Sequence, residues 1–271
     1  MACGIYKILF MDLSVVAAIA GIFDFQTASY SWYVEMYIGL FLLIPFLNMM
    51  YRGAEAQGKG NLLVLTFLIV TALPSLLNVW NLRGLVGIVP ADNEIHVDPL
   101  VPDYWRIMYP ITFYFLGSYL RDHPLKLKPW VNLLLILLAT LAFGMVNYFR
   151  SYGGSFLGLA CADYRSVWCT ALSILVFSFL TERQWSSVGP KTARFLSKVS
   201  TWTLGAYLCS EIFDRIVYPI LLEQGYTMVI RMAFFPVIVG VVSLCSLTLS
   251  AILNGIYKGI ASLFSKKEKA I

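Results

Sequence analysis

SWYVEMYIGLFLLIPFLN, residues Ser31–Asn48, decides how the rest of the chain is read. It opens on an aromatic pair, Trp32 and Tyr33, admits one carboxylate, Glu35, and then runs apolar to Pro45 and Asn48. About 20 predominantly apolar residues with aromatic ends are what an α-helix needs to cross a bilayer. A carboxylate inside such a run is costly in hydrocarbon, so Glu35 is expected to face protein or water.

The whole chain carries the same signature. Of its 271 residues, 59% are hydrophobic and 13% charged, and mean hydropathy is +0.74. Soluble domains carry about a quarter charged residues. Too few charges remain to cover a water-facing surface, so the chain reads as an all-α, polytopic membrane bundle. The net charge of +5 then belongs to basic cytoplasmic loops rather than to a nucleic-acid interface. Cys3, Cys161, Cys169, Cys209 and Cys245 show no CxxC or metal-ligand spacing and read as small apolar residues, so no metal is expected. The first apolar run has no small-x-small cleavage site and is interrupted by Asp12, so it reads as a retained helix.

Eight spans are expected: Ile5–Phe23, Ser31–Met50, Leu62–Trp80, Tyr104–Leu120, Trp130–Phe149, Val167–Leu180, Thr201–Leu222 and Val229–Tyr257. Val167–Leu180 is short for a span, and the last run is long enough to tilt. No linker or repeat separates a second domain, so residues 1–271 read as one transmembrane domain. With this layout, fourteen Lys and Arg, Lys7 among them, fall on one side and five on the other, with Arg215 inside a span. The richer side is expected to be cytoplasmic, with both termini there.

The loops differ in kind. Asn81–Arg106 is the longest, with Asp92, Glu94, Asp98 and Asp103, and reads as a solvated acidic loop or a contact for a sugar or cation. Glu182–Ser200 sets Lys191, Arg194 and Lys198 beside Phe195, Leu196 and Val199. That pattern predicts a basic amphipathic helix at the inner surface, meeting anionic lipid or a phosphorylated donor.

Charges within spans are the functional candidates: Asp12, Glu35, Glu211, Asp214 and Arg215. Counted from Thr201, Glu211 lies about 15 Å and Asp214 about 20 Å along its helix. Glu35, Asp214 and Arg215 are therefore expected to share the outer half of the bundle, where a polar pocket would hold a hydroxylated acceptor. Glu211 and Arg215 are also spaced i, i+4 in the favourable order, so they read equally as an intrahelical ion pair. His96 and His123 fall in loops, and Gly153, Gly154 and Gly158 make no phosphate cradle by spacing. No catalytic histidine is placed inside the bundle.

Three stretches carry a resemblance. WYVEMYIGLFLLIPFLN (Trp32–Asn48) resembles the signature helix of the acyltransferase family 3 integral membrane proteins. YPITFYFLGSYL (Tyr109–Leu120) resembles that family's aromatic helix, and LSKVSTWTLGAYLCSEIFDRIVYPIL (Leu196–Leu221) its late helix. They occur in order and span most of the chain. The resemblance implies O-acyl transfer, usually acetyl, from cytosolic acetyl-CoA to a glycan or lipid-linked sugar of the bacterial cell envelope, at the cytoplasmic membrane.

One feature departs from the family. Its members carry a basic residue followed about three turns later by a histidine in an early helix, and Ile5–Phe23 has neither Arg nor His. The chain thus resembles the family's later two-thirds, and a truncated or non-catalytic form is an expectation. Catalytic residues stay unassigned. Trp32, Tyr33, Glu35 and Tyr37 are expected to line an acceptor pocket, with Asp214 and Arg215 orienting polar groups. The rivals are a transporter using the same buried charges and a non-catalytic membrane component.

Overall fold

The computed structural model describes residues 2–23, 30–78, 101–102, 104–151, 163–182, 188–226 and 228–268. Their regular structure is helical throughout: α1 (Ala2–Phe10), α2 (Val15–Phe23), α3 (Trp32–Ala56), α4 (Gly60–Thr71), α5 (Pro74–Leu77), α6 (Tyr109–Asp122), α7 (Pro129–Ser151), α8 (Val167–Thr181), α9 (Pro190–Glu223) and α10 (Met228–Glu268), with a 3₁₀ turn at Tyr104–Met108. In hydrocarbon each backbone group must be satisfied within its own segment, and the helix is the solution open to a chain of this hydropathy.

The distribution of side chains is that of a protein solvated by lipid. Leu9, Val16, Phe41, Leu42, Phe46, Leu244 and Tyr257 are exposed, while Thr71, Ser75, Thr112, Asn132, Ser166, Thr170, Ser178 and Ser246 are buried. Small polar residues at helix contacts are the usual means of association where apolar burial drives nothing. Four segments are long and apolar enough to cross a membrane among the described residues: Trp32–Ala56, Gly60–Leu77, Pro129–Val146 and Ala233–Gly259.

Several of the expected spans take another form. Ile5–Phe23 is not one helix: α1 and α2 have nine residues each, and the chain breaks between them at Asp12, whose φ is 52°. Aspartate tolerates this left-handed conformation, and Ser14 Oγ accepts from the Ala17 amide to start α2. Each piece is about 14 Å long, short of a bilayer. Tyr104–Leu120 begins as a 3₁₀ turn, and α6 has fourteen residues. Of the basic segment Glu182–Ser200, residues 183–187 lie outside the described residues, and the part from Pro190 does not form a separate surface helix. Lys191, Arg194 and Lys198 occupy the first turns of α9, which continues unbroken through Thr201–Leu222. Helix α8 starts one residue after Ser166, whose hydroxyl accepts from the Cys169 amide.

The chain divides into two compact units, Met1–Ile38 with Ser186–Ile271, and Gly39–Trp185. In the second, Leu47, Tyr51, Val64, Phe115, Leu116 and Leu120 form the core, with the Phe67 and Phe115 rings 5.0 Å apart. A hydroxyl pair, Thr71 and Thr112 at 2.9 Å, joins α4 to α6. In the first, α9 packs along α10, and Ser250 Oγ donates to Trp202 O at 2.8 Å. Gly205 permits this approach, because a Cβ there would overlap the Ser250 hydroxyl.

Candidate functional site

The first unit holds a buried charge centre. Glu211 is 4% exposed, and its Oε1 lies 3.0 Å from Lys7 Nζ and 2.8 Å from Arg215 Nη2. The i, i+4 pair read from the sequence therefore forms, but with a second cation in it. Lys7 is not free among loop charges as the orientation count had it. It sits on α1, which packs against α9, where Cys3 Sγ donates to Leu208 O at 3.1 Å. A carboxylate in such surroundings is tolerable only if it is paired and hydrogen-bonded, and two cations supply that.

Beside it, Tyr30 donates its hydroxyl to Asp214 Oδ2 at 2.7 Å. Tyr30 precedes α3 and Asp214 lies on α9, so this bond ties the entry of α3 to the late helix. The Asp214 carboxylate and partial burial raise the Tyr30 phenol to about 12, keeping it a donor at neutral pH. The Tyr30 and Tyr33 rings each sit 5.5 Å from Tyr207, and Tyr33 stacks on Tyr37 at 6.5 Å and 22°. A cavity of about 500 Å³ opens along these rings, lined by Tyr33, Val34, Tyr37, Thr203, Leu204 and Tyr207. Aromatic faces and hydroxyls on one wall suit a ligand that has both C–H surface and hydroxyl groups.

Of the six site residues read from the sequence, Tyr33 and Tyr37 line the cavity, and Trp32 packs edge-on against Tyr33 at 6.1 Å. Asp214 joins the group through Tyr30, and Arg215 points to Glu211. Glu35 is exposed and makes no side-chain hydrogen bond or ion pair among the described residues. Asp12 is exposed at the α1–α2 break. Tyr30, Tyr207 and Lys7 escaped the sequence reading. A tyrosine i+7 before Asp214 on an outlined helix was the available signal for Tyr207, whereas nothing local marks Lys7 as a partner of a residue two hundred positions away.

The second unit has its own ion cluster. Asp163 Oδ2 accepts from Arg165 Nε at 2.7 Å and faces Arg106 Nη2 at 3.4 Å, with the Tyr109 and Tyr164 rings 4.8 Å apart nearby. His123 is exposed at the end of α6, stacked on Tyr119 at 4.4 Å and 3.9 Å from Glu55. His96, the acids Asp92, Glu94, Asp98 and Asp103, Gly153, Gly154, Gly158 and Cys161 lie outside the described residues. No cluster of His, Cys, Asp and Glu able to hold a metal occurs among the described residues.

Comparison with known proteins places these features. No curated protein and no solved structure gave a significant match. The family model for the acyltransferase domain of acyltransferase family 3 matches residues 3–253, a range that takes in α1, the tyrosine-lined cavity, both ion clusters and most of α10. The chain belongs to acyltransferase family 3.

Proposed function

We propose that the chain is a multi-pass O-acyltransferase of the bacterial cytoplasmic membrane, moving acetyl from acetyl-CoA to a hydroxyl of a cell-envelope glycan or lipid-linked sugar. Family membership makes it an acyltransferase by descent, and the apolar, lipid-facing helices put it in a membrane. The observation that carries the acceptor assignment is the tyrosine-lined cavity, whose Tyr207 wall has the Asp214-bonded Tyr30 ring against it. A sugar presents C–H faces to Tyr33, Tyr37 and Tyr207, and its hydroxyls exchange with Tyr30 for the Asp214 carboxylate. Arg215, anchored on Glu211, holds its end of the helix in place, and Trp32 and Glu35 flank the entrance.

In the reaction a sugar hydroxyl loses its proton to a base, its oxygen bonds to the acetyl carbonyl carbon, and the carbon–sulfur bond breaks to release the coenzyme thiol. Lys191, Arg194 and Lys198, exposed on the first turns of α9, are placed to meet the donor's phosphates. In this reading Trp32–Ala56, Gly60–Leu77, Pro129–Val146 and Ala233–Gly259 cross the membrane and both termini are cytoplasmic.

The test is transfer from labelled acetyl-CoA into envelope glycan by membranes containing the chain. Wild type is expected to label glycan, with Asp214→Asn reduced at least tenfold and Glu35→Gln reduced less. Absence of label above empty-vector membranes would point to a non-catalytic component. Solute uptake without label would point to a transporter.

A further inference from the structure

Helices α9 and α10 pack along one seam, and that seam opens at its basic end. On α10 the buried positions recur every four residues, Ile238, Val242, Ser246 and Ser250, and α9 is the helix packed on it. Four residues join the two helices, so they run antiparallel. The Ser250 hydroxyl on Trp202 O fixes their register. Seven residues before Trp202 stands Phe195 and eight before it Arg194, while seven and eight after Ser250 stand Tyr257 and Lys258. Two rings and two cations therefore occupy matching levels of the pair.

At those levels the seam is uncovered. Phe195 is 62% and Tyr257 71% exposed, and every residue from Pro190 to Lys198 and from Gly255 to Gly259 is exposed. Charge changes at the same boundary. Lys191, Arg194 and Lys198 lie three and four residues apart, on one face of α9, and that face continues to Gly205, which meets Ser250. No Asp or Glu occurs from Pro190 to Ser210 or from Met228 to Lys267, so no carboxylate of either stretch stands among these cations. Glu211, further along α9, is taken up by Lys7 and Arg215.

The opening lies at the water edge. Hydrocarbon about 30 Å thick takes about 20 helical residues, and the headgroups on one side take about four more. Counted from Ala233, where the apolar span of α10 begins, these reach Ile252 and then Ile256. Tyr257 and Lys258 come next, with Phe195, Arg194 and Lys191 at or beyond their level. Exposed rings offer stacking faces to a planar base, and guanidinium and ammonium groups beside them bind phosphate. A ligand that carries a base and phosphates together uses both.

We infer that the opening between α9 and α10 holds the nucleotide end of the acyl donor, with adenine against Phe195 and Tyr257 and the phosphates on Lys191, Arg194 and Lys258. This rests on the donor being acetyl-CoA, as proposed above. The test is equilibrium binding of coenzyme A to the purified chain in detergent, by calorimetry, which needs no transfer activity. Wild type is expected to bind coenzyme A, and the analogue lacking the 3′-phosphate at least tenfold more weakly. Tyr257→Ala and Lys258→Gln are each expected to weaken coenzyme A binding at least tenfold. Both side chains are exposed, so the thermal midpoint of each variant is expected to match wild type, which separates lost binding from lost fold. Short-chain phosphatidylglycerol at the same concentration is expected not to displace coenzyme A. Wild-type affinity in both variants would overturn the inference and leave the acyl-transfer reading standing. Displacement by the lipid would assign these cations to headgroups and overturn it too. A wild-type chain that binds no coenzyme A would overturn the inference and the donor assignment together.

Discussion

Replacing Glu211 by Gln removes the anion from between Lys7 and Arg215. The carboxylate is 5% exposed at its side chain, Lys7 15% and Arg215 38%. Removing one partner of a buried pair costs about 3–5 kcal/mol, because the remaining charge is left buried and unpaired. Arg215 can turn to water and Lys7 cannot, so the lower end, about 3 kcal/mol, is expected. That is roughly a 150-fold change in the folding equilibrium at about 1.4 kcal/mol per decade. In thermal unfolding it corresponds to about 6–12 °C, at ~2–4 °C per kcal/mol for a chain of this size class. Lys7→Met should cost more than Arg215→Met, since the more buried cation is the more tightly held. The Glu211→Gln/Lys7→Met double variant should be less destabilised than the sum of its singles, because the stranded ammonium is gone. The assay is unfolding of the purified variants in one detergent, followed by tryptophan fluorescence. A Glu211→Gln midpoint within 1 °C of wild type, or strictly additive singles, would refute the reasoning.

Three further predictions follow from other contacts. Tyr30→Phe deletes the hydrogen bond to Asp214 and should cost about 1 kcal/mol. Because the folded phenol is raised to about 12, the wild-type contribution is complete below pH 10 and fades as pH rises toward 12. Stability measured from pH 9 to 12 should therefore fall more steeply in wild type than in Tyr30→Phe. In the second unit Tyr51 donates to Asp122 at 3.0 Å, and the Arg121 guanidinium, then this hydroxyl, hold the Asp122 carboxyl below its usual range. That contribution is present above about pH 4 and lost as pH falls further. Tyr51→Phe should cost about 1 kcal/mol at pH 7 and much less at pH 2, read by denaturant midpoints at the two pH values. Gly205→Ala should destabilise the α9–α10 packing by about 1–3 kcal/mol through overlap with Ser250, and Ser250→Ala in the same chain should restore most of it.

Much of the helical content was legible because hydropathy acts along the chain. Trp130–Phe149 and Val167–Leu180 appear within two residues as α7 and α8, and the short α8 was short in the sequence too. The Glu211–Arg215 pair was legible for the same reason, since i, i+4 spacing is a local rule. What failed was nonlocal or conformational. The run Ile5–Phe23 is apolar enough for a span, yet a left-handed Asp12 and the Ser14 cap divide it. Lys7 looked like a loop charge because its partner, Glu211, is far away in sequence. The basic segment before Thr201 has the charge pattern of a surface helix, but no breaker stands between it and the apolar run, so α9 continues through both. Tyr30 and Tyr207 were hidden because a tyrosine's role depends on which ring faces it across the bundle.

The acceptor assignment is tested most directly by initial rates of acetyl transfer in proteoliposomes, measured against acceptor concentration for wild type and Tyr33→Ala/Tyr207→Ala. The account predicts an acceptor KM raised at least tenfold with the acetyl-CoA KM unchanged. An unchanged acceptor KM, or equal rises in both, would contradict it.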